Sequence, residues 1–423
     1  MSILQSHSAL RARAPLDVVV VGAGMFTRDV ILPSLYHLQR SGEVGSISLA
    51  ATSTARLAPL TSDEELAEAF PGQGFTAYPC LGDAGRDPRA YLRALDALAP
   101  QQLVFVAVPD HLHHEIILDA LQRDQHVYSV KPLVQRYEQG RQIGELAAER
   151  GLFVGIDYHK RFDRRSLVAR RQYGRGDFGE FAYGEARLFE PYFYRHSNFQ
   201  NWFTCDNSDP FTYVGCHYVD LVYFITGLRP VAVSAAGATG TFPNGNTGYL
   251  WAHGRVHWEN GAILSVSAGL GYPDAGAGSN DQGMTLYCEG DGRTGLIDHD
   301  DQDRGVEYAY VAATGPGGSR FNFVSPDFFR LAPREGAGAD AIGYGYESMA
   351  AAVQAARALR ELAPGERRVR LQEIDRNGLI ATPLNSGINE LVVEAARQSL
   401  AVSGATVRIR YDKTPRIHGS LLN

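Results

Sequence analysis

The stretch DVVVVGAGMFT, residues 17–27, decides the fold of this chain. Its first five residues are dominated by β-branched side chains, and such an uninterrupted apolar run is typical of a strand that is buried on both faces in a parallel sheet. Gly22 permits a tight strand-to-helix turn, and Gly24 lets the backbone approach a pyrophosphate at the start of the next helix. This context predicts a dinucleotide-binding turn that includes Met25 and Phe26. Thr27 stands where the fingerprint usually has its third glycine.

Strand and helix patterns alternate outward from this turn. Strand-like runs recur at residues 45–53, 103–108, 126–130 and 152–158, and amphipathic helical runs lie between them, as at 114–124 and 134–150. Strict alternation indicates an α/β doubly wound parallel sheet, so we predict a Rossmann dinucleotide-binding domain over residues 16–157. Residues 1–15 are predicted to be a loose N-terminal extension.

The pattern changes after residue 157. Residues 254–269 contain two alternating runs around a turn at Asn260-Gly261, which predicts a hairpin. We predict an α+β second domain over residues 158–423, with a large, mostly antiparallel, open-faced sheet and helices on one face. The glycine-rich segment 269–283 is expected to be a long surface loop.

Composition excludes several classes of function. The net charge is −7 and the pI about 6.0, so no basic field is available for nucleic acid or an anionic membrane. No apolar run reaches the length of a membrane span. The four cysteines are widely spaced without a CxxC pair, which favours a reducing cytoplasm.

The residues at the end of the second predicted strand help to distinguish an NAD site from an NADP site. An NAD site usually has an acid there, but this chain has Ser53, Thr54 and Arg56. Hydroxyls and a guanidinium suit a 2′-phosphate, so the cofactor is expected to be NADP or NAD, with NADP favoured. The alternative is that Arg56 only caps the following turn.

The loop after the strand at 103–108 brings Val108, Pro109, His111 and His113 to the ligand edge of the sheet. The spacing of His111, His113 and His114 does not place them on one helical face, so no metal site is expected. Contact with the nicotinamide half of a cofactor, or plain helix-start polarity, is the favoured interpretation.

Two residues could transfer a proton or stabilise negative charge on a substrate oxygen. Lys131 ends a strand at the same edge, where it could hold a substrate hydroxyl; a solvated edge lysine is the alternative. His217, in a predicted helix over 215–226, is the best candidate for a general base, and Tyr213 one turn earlier could support it. The alternative is a surface histidine paired with Asp220.

An aromatic segment, residues 190–203, precedes that helix. Rings and amides are what a sugar needs, so Tyr194, Arg195, Asn198 and Trp202 are candidate substrate contacts. Packing against its own domain or a partner subunit is an equal alternative.

In this order the motifs resemble the Gfo/Idh/MocA (glucose–fructose oxidoreductase/inositol dehydrogenase) family. The matching features are the glycine turn, Pro109 with His113, Lys131-Pro132, Arg161-Phe162 and Gly215-x-His217-x-x-Asp220. The resemblance implies a nicotinamide-dependent sugar or polyol oxidoreductase with catalytic Lys131 and His217, and it adds Arg161 to the substrate contacts. Val130 and Tyr213 replace two acids of the family pattern, so Asp209 could reach the relay from the preceding loop.

We therefore expect hydride transfer between a carbohydrate hydroxyl carbon and a nicotinamide. Two alternatives stay open: an NAD-dependent glycosidase that oxidises its sugar transiently, and a non-catalytic dinucleotide-binding sensor. An exposed second-domain sheet predicts a homodimer or homotetramer.

Overall fold

The structure is a computed structural model that describes residues 14–83, 85–276, 280–290, 293–300, 328–334 and 336–418. Most of the predicted N-terminal extension, residues 1–13, lies outside the described residues. The first domain contains a six-stranded parallel sheet in the order β3-β2-β1-β4-β5-β6. Its strands are β1 (Leu16–Val21), β2 (Val44–Ala50), β3 (Thr76–Tyr78), β4 (Leu103–Val106), β5 (His126–Val130) and β6 (Val154–Asp157). This order confirms the predicted Rossmann topology.

Six α-helices connect these strands. They are α1 (Leu32–Arg40), α2 (Thr54–Thr61), α3 (Glu64–Ala69), α4 (Ala90–Asp96), α5 (His113–Gln122) and α6 (Tyr137–Arg150). A π-helical turn, Thr27–Ile31, leads into α1. Every connection rises from the carboxyl end of a strand, so all the strand-end residues predicted as functional share one edge of the sheet.

The glycine turn after β1 is fixed by sterics. Gly22 has φ +114°, and a Cβ there would lie 2.0 Å from the carbonyl oxygen of Ala107. The Thr27 hydroxyl donates to the Gly22 carbonyl oxygen over 2.7 Å, so threonine at the third position ties the turn to the helix. Gly24, in contrast, has no atom within 4 Å of a built Cβ.

The second domain is built on an eight-stranded mixed sheet in the order β12-β11-β7-β10-β9-β8-β15-β16. Its strands are β7 (Glu180–Pro191), β8 (Pro230–Thr241), β9 (Thr247–Trp258), β10 (Ile263–Tyr272), β11 (Asp281–Gly290), β12 (Arg293–Asp300), β15 (Val407–Arg410) and β16 (Arg416–His418), while β13 (Arg330–Pro333) and β14 (Ala339–Ile342) form a separate pair. The β7–β10 pair is parallel, and the other pairings in the large sheet are antiparallel.

The predicted hairpin is present as β9 and β10, with Gly261 at φ +91° in the turn. The predicted long loop at 269–283 is wrong for its two ends, whereas residues 273–276 and 280 lie outside the strands and residues 277–279 lie outside the described residues. Its ends continue β10 and begin β11, because these segments pair with β7 on both sides. Gly269 and Gly271 leave room for the ring of Trp251, which explains these two glycines within β10.

The described residues after Asp157 form six α-helices, three of which cover one face of the large sheet. They are α7 (Arg164–Tyr173), α8 (Cys216–Thr226), α9 (Tyr344–Arg360), α10 (Pro364–Asn377), α11 (Pro383–Ser386) and α12 (Ile388–Ala401), of which α7, α8 and α12 pack on this sheet and its core. Large side chains on the opposite face stay at least 40% exposed: Tyr183, Trp251, Tyr287 and Leu296.

One segment of the predicted second domain packs on the first. Met349, Val353 and Leu359 of α9 are buried in the core formed by β1, β2 and α1. The apolar stripe of α9 therefore returns to the Rossmann sheet and brings the two domains into contact around the carboxyl edge. Within the residues described, no helix is both long and apolar enough to span a membrane.

Candidate active site

The glycine turn opens the carboxyl edge of the parallel sheet to a ligand. Gly24 is exposed and its Cβ direction is empty, while the backbone of Gly22 is held against the end of β4. The following helical turn begins at Met25, next to this gap, and the first N–H groups of a helix have no partner within it. The cradle therefore fits the pyrophosphate of a dinucleotide.

The end of β2 lies next to this turn and carries no acid. Ser53 and Thr54 are half-buried, and the exposed Arg56 donates to Asn198 Oδ1 over 2.8 Å. The structure thus brings Arg56, expected near the cofactor, together with Asn198, expected near the substrate. The aromatic segment closes over the cofactor edge through this contact.

His113 differs from its prediction as a cofactor contact. It is fully buried; its Nε2 lies 2.9 Å from the Val108 carbonyl oxygen and its Nδ1 2.9 Å from that of Pro132. With both ring nitrogens engaged by backbone, the side chain joins the loop after β4 to the turn after β5. Val108 and Pro109 remain half-buried at the edge, and His111 is exposed beside them.

The three histidines of this loop do not meet. His114 Nε2 lies 2.9 Å from Gln142 Oε1, away from the backbone contacts of His113. In the part of the chain that the structure describes, no group of three or more acidic, histidine or cysteine side chains could hold a metal ion.

Lys131 of the first domain contacts a residue of the second domain. Its ammonium donates to the carbonyl oxygen of Tyr213 and lies 4.0 Å from the centroid of that ring. Tyr213 belongs to a π-helical turn, Phe211–Gly215, that leads into α8. The lysine is thus half-buried and oriented by the second domain rather than extended into solvent.

Tyr213 is poorly suited to donate a proton. Burial, followed by the charges of Glu190 and Asp110, raises its pKa well above the usual value. Its ring packs edge-on against Phe199 and Phe203 at 5.1 and 5.8 Å between centroids. Its geometry serves to hold Lys131.

His217 lies at the start of α8, 4% exposed. Burial, followed by the charge of Lys131, holds its pKa well below the usual value, so the imidazole is neutral near neutral pH. Its Nδ1 has no hydrogen-bond partner among the described residues. Asp220, the alternative partner of His217, is bound elsewhere.

Arg161 and Asp209 also differ from their predicted roles near the substrate. The Arg161 guanidinium, 1% exposed, forms a two-point ion pair with Asp220 and donates to the Gly378 carbonyl oxygen over 3.0 Å. Asp209 is fully buried and accepts from the amide and hydroxyl of Thr212. Each side chain is occupied by the fold, because a buried charge needs partners on all sides.

A second histidine reaches the site from the segment that follows β6. His159 follows β6, and its ring centroid lies 4.8 Å from that of His217. Its Nδ1 lies 3.3 Å from Asp157 Oδ2, and its ring also lies near Phe26 of the glycine turn, 6.3 Å between centroids.

A polar chain runs along the sheet side of the site. Lys160 donates to Gln282 over 2.7 Å, Gln282 to Asn280 over 3.0 Å, and Asn280 to Glu190 over 3.5 Å. Burial raises the pKa of the Glu190 carboxyl, and the charges of Lys131 and Lys160 partly offset this effect. A carboxyl group therefore does lie near Lys131, although it comes from β7 and not from position 130.

The aromatic segment forms a cluster over the glycine turn. Tyr194 stacks on Phe199 at 4.9 Å, and Trp202 and Met25 pack on the same cluster. Arg195 is turned away: it donates to the Leu270 carbonyl oxygen and lies over Trp251. Tyr194 and Trp202 thus remain near the site, whereas Arg195 stabilises the sheet.

Sequence reasoning missed His159, Lys160 and Glu190. The first two directly follow β6, whose carboxyl end is at the ligand edge, so their position was a usable signal. Glu190 is the first residue of the aromatic segment, but its approach to Lys131 depends on how β7 meets the first domain.

Two family models match this chain. Residues 16–158 match the Gfo/Idh/MocA model described as an oxidoreductase family with an NAD-binding Rossmann fold, and residues 167–291 match the C-terminal domain of the same family. Together these regions cover more than half of the chain.

Individual relatives are distant. D-glucoside 3-dehydrogenase of Escherichia coli K12 is 27% identical over 225 residues, which are 52% of this chain and 56% of that protein. The matches to the first two curated relatives thus span about half of each relative's length.

Solved structures show the same fold over nearly the whole chain. GenD2 from gentamicin A biosynthesis, in complex with NAD, has a TM-score of 0.64 at 18% identity and covers 94% of this chain and 97% of its own. The myo-inositol 2-dehydrogenase of Lactobacillus plantarum has a TM-score of 0.59 at 14% identity, covering 94% and 100%. Because the models of both family domains match in sequence order and together cover more than half of the chain, the chain belongs to the Gfo/Idh/MocA oxidoreductase family.

Proposed function

We propose that the chain is a dehydrogenase or reductase that transfers a hydride between a hydroxyl-bearing carbon of a cyclic sugar or polyol and a nicotinamide dinucleotide. One observation carries the proposal: Lys131 lies at the same carboxyl edge of the sheet as the glycine turn, held by Tyr213 and within electrostatic reach of His217. A cation that can bind an oxygen and an imidazole that can move its proton are the two groups such a reaction needs.

The cofactor is assigned to the edge formed by Gly22–Thr27, the end of β2 and the loop after β4. When bound there, the nicotinamide dinucleotide supplies the acceptor or donor of the hydride. Ser53, Thr54 and Arg56 favour a 2′-phosphate, because no carboxylate ends β2 to repel it. We therefore propose NADP as the preferred cofactor, with NAD as the alternative.

Lys131 is assigned to the reacting hydroxyl. Its ammonium would hold that oxygen and stabilise the negative charge that develops on it. His217 would take the hydroxyl proton in oxidation and return it in reduction. Since its imidazole is neutral near neutral pH, it is in the form that accepts a proton. Proton transfer of this kind contributes about 10²- to 10⁴-fold in rate.

The side chains assigned to the substrate suit a neutral ring that carries several hydroxyl groups. Tyr194 and Trp202 offer aromatic surface, and the amides of Gln282 and Asn280 lead to the Glu190 carboxyl. Aromatic faces bind C–H surfaces, and a mixed donor–acceptor wall binds hydroxyl groups. The named relatives, a glucoside 3-dehydrogenase and an inositol 2-dehydrogenase, support this substrate class.

The proposal is tested with a panel of glycosides, free sugars and inositols, each assayed with NAD and NADP. The expected result is NAD(P)H formed in proportion to an oxidised sugar, with at least one substrate far above the rest. A glycoside cleaved without net NAD(P)H would favour the glycosidase alternative instead. Dinucleotide binding without turnover across the panel would favour a sensor and contradict the proposal.

We also propose a homodimer or homotetramer through the open face of the large sheet, in the reducing cytoplasm. The exposed Tyr183, Trp251, Tyr287 and Leu296 support this surface, because large apolar side chains cluster there. Sedimentation of the wild type and of a Trp251→Lys/Tyr287→Lys variant tests it. A monomeric wild type would contradict it.

A further inference from the structure

The helix that carries His217 provides no carboxylate for it. Tyr213 occupies the position one turn earlier, Asp220 is committed to Arg161, and Nδ1 of His217 is buried without a partner among the described residues. The charges of Lys131 and Lys160 further disfavour an imidazolium at this position. A proton accepted by His217 therefore needs a second acceptor close by.

His159 has the partner that His217 lacks. Its Nδ1 lies 3.3 Å from Asp157 Oδ2, and a carboxylate can only accept, so the N–H is on Nδ1 and Nε2 is left as an acceptor. Asp157 is itself fixed, because its Oδ1 accepts from the Ser348 hydroxyl over 2.9 Å and from Tyr128 over 3.3 Å. A histidine held by an oriented carboxylate in this way is arranged to accept a proton.

The surroundings of His159 connect it to the site. Its ring lies 4.8 Å from His217 on α8, with Phe26 of the glycine turn at 6.3 Å, Phe328 at 5.2 Å and Tyr344 of α9 at 5.7 Å. The titratable groups that face it are Asp157 on its own segment, His217 from α8, Tyr344 from α9 and the adjacent Lys160. Asp157 is the only anion in this set, and the aromatic rings keep water from screening it.

We propose that Asp157 and His159 form a second histidine–carboxylate pair that takes from His217 the proton released by the substrate hydroxyl. This inference rests on the proposed function. In oxidation the carbinol C–H bond breaks and its electron pair leaves as hydride to the oxidised dinucleotide, while the O–H bond breaks and the C=O bond forms. The proton goes to His217 and then, through one bridging water because Nδ1 of His217 has no partner among the described residues, to Nε2 of His159, while Asp157 remains a carboxylate. In reduction the proton returns along the same route.

The competing role is structural, in which His159 only fills space among Phe26, Phe328 and Tyr344. His159→Phe separates the two roles because it keeps an aromatic ring in the cluster and removes both nitrogens. Asp157→Asn keeps shape and removes the charge. His114→Gln is the matched control, since that histidine contacts Gln142 on α6 and lies outside the proposed site.

The experiment measures kcat, KM and their pH dependence for each variant with the best substrate of the panel, with cofactor binding as a check on folding. His159→Phe is expected to lose about 10²-fold in kcat with KM nearly unchanged. Asp157→Asn should also lower kcat with KM nearly unchanged, because the carboxylate that orients the His159 ring is gone. His114→Gln should match the wild type.

The outcomes separate the inference from the function on which it rests. Wild-type kcat and an unshifted pH profile in His159→Phe would overturn the relay and leave the dehydrogenase assignment intact. A wild-type enzyme that turns over no carbohydrate would overturn both. If His159→Phe fails to bind cofactor, His159→Gln replaces it, and normal turnover in that variant would equally overturn the relay.

Discussion

The ammonium of Lys131 lies 4.0 Å from the ring centroid of Tyr213 and donates to the carbonyl oxygen of the same residue. Lys131 ends β5 of the first domain, and Tyr213 precedes α8 of the second. The contact therefore holds the ammonium group of one domain against the other domain. The contact uses the ring and backbone of Tyr213, not its hydroxyl.

Tyr213→Phe is accordingly expected to keep most of its turnover. The carbonyl and ring that hold Lys131 remain, and a hydroxyl whose pKa is raised well above the usual value contributes little as an acid. Steady-state kinetics near neutral pH measure this. Tyr213→Ala is the comparison and should lose far more, because the ring is gone. Complete inactivity of Tyr213→Phe would restore Tyr213 as a proton donor.

Gly22→Ala and Gly24→Ala are expected to fail in different ways. A Cβ at Gly22 meets the Ala107 carbonyl oxygen at 2.0 Å, and φ there is +114°, so Gly22→Ala should destabilise the domain itself. Gly24→Ala should fold normally, since nothing lies within 4 Å of the new methyl group, yet bind dinucleotide weakly. Thermal unfolding and cofactor titration separate the two effects. Unchanged cofactor affinity in Gly24→Ala would place the pyrophosphate elsewhere.

Removing one member of the Arg161–Asp220 pair should cost stability rather than binding. Both side chains are 1% exposed, and breaking a buried ion pair typically costs about 3–5 kcal/mol because a bare charge remains. Arg161→Met should therefore lower the free energy of unfolding in urea, and adding Asp220→Asn should recover part of the loss. A stable Arg161→Met protein with a raised KM would instead return Arg161 to the substrate.

The buried carboxyl group of Glu390 should make the folded protein less stable as the pH rises. Burial, followed by the charge of Asp220, raises its pKa from 4.5 to about 8. The folded state thus keeps a proton that the unfolded state has released, so this residue lowers stability as pH rises from about 4.5 to about 8. Glu390→Gln should be more stable than the wild type at the upper end of this window and equal to it at the lower end. Denaturant unfolding across the window measures the difference, and parallel curves would contradict it.

The first domain could be predicted from sequence because its signals are local. A β-branched run, a glycine turn and alternating helices specify the Rossmann order without reference to distant residues. The loop prediction failed at the start of the Gly-rich segment 269–283 because Gly269 and Gly271 make room for Trp251, and that ring comes from β9.

A residue that ends a strand could be placed at the ligand edge from the sequence. Lys131 could be placed at the edge in this way, and His159 could have been. The ion pair of Arg161 with Asp220 and the contact of His113 with the Pro132 carbonyl depend on partners 59 and 19 residues away, and the approach of Glu190 to Lys131 likewise joins distant parts of the chain. Such partners are set by packing between elements, which composition and spacing do not reveal.

The central claim is that Lys131 acts on the reacting oxygen and not on the fold or the cofactor. Turnover and dinucleotide affinity measured side by side for the wild type and Lys131→Met test it most directly. We predict no NAD(P)H formation above background in Lys131→Met, with cofactor affinity within a few-fold of the wild type. Near-normal turnover in that variant would contradict the account.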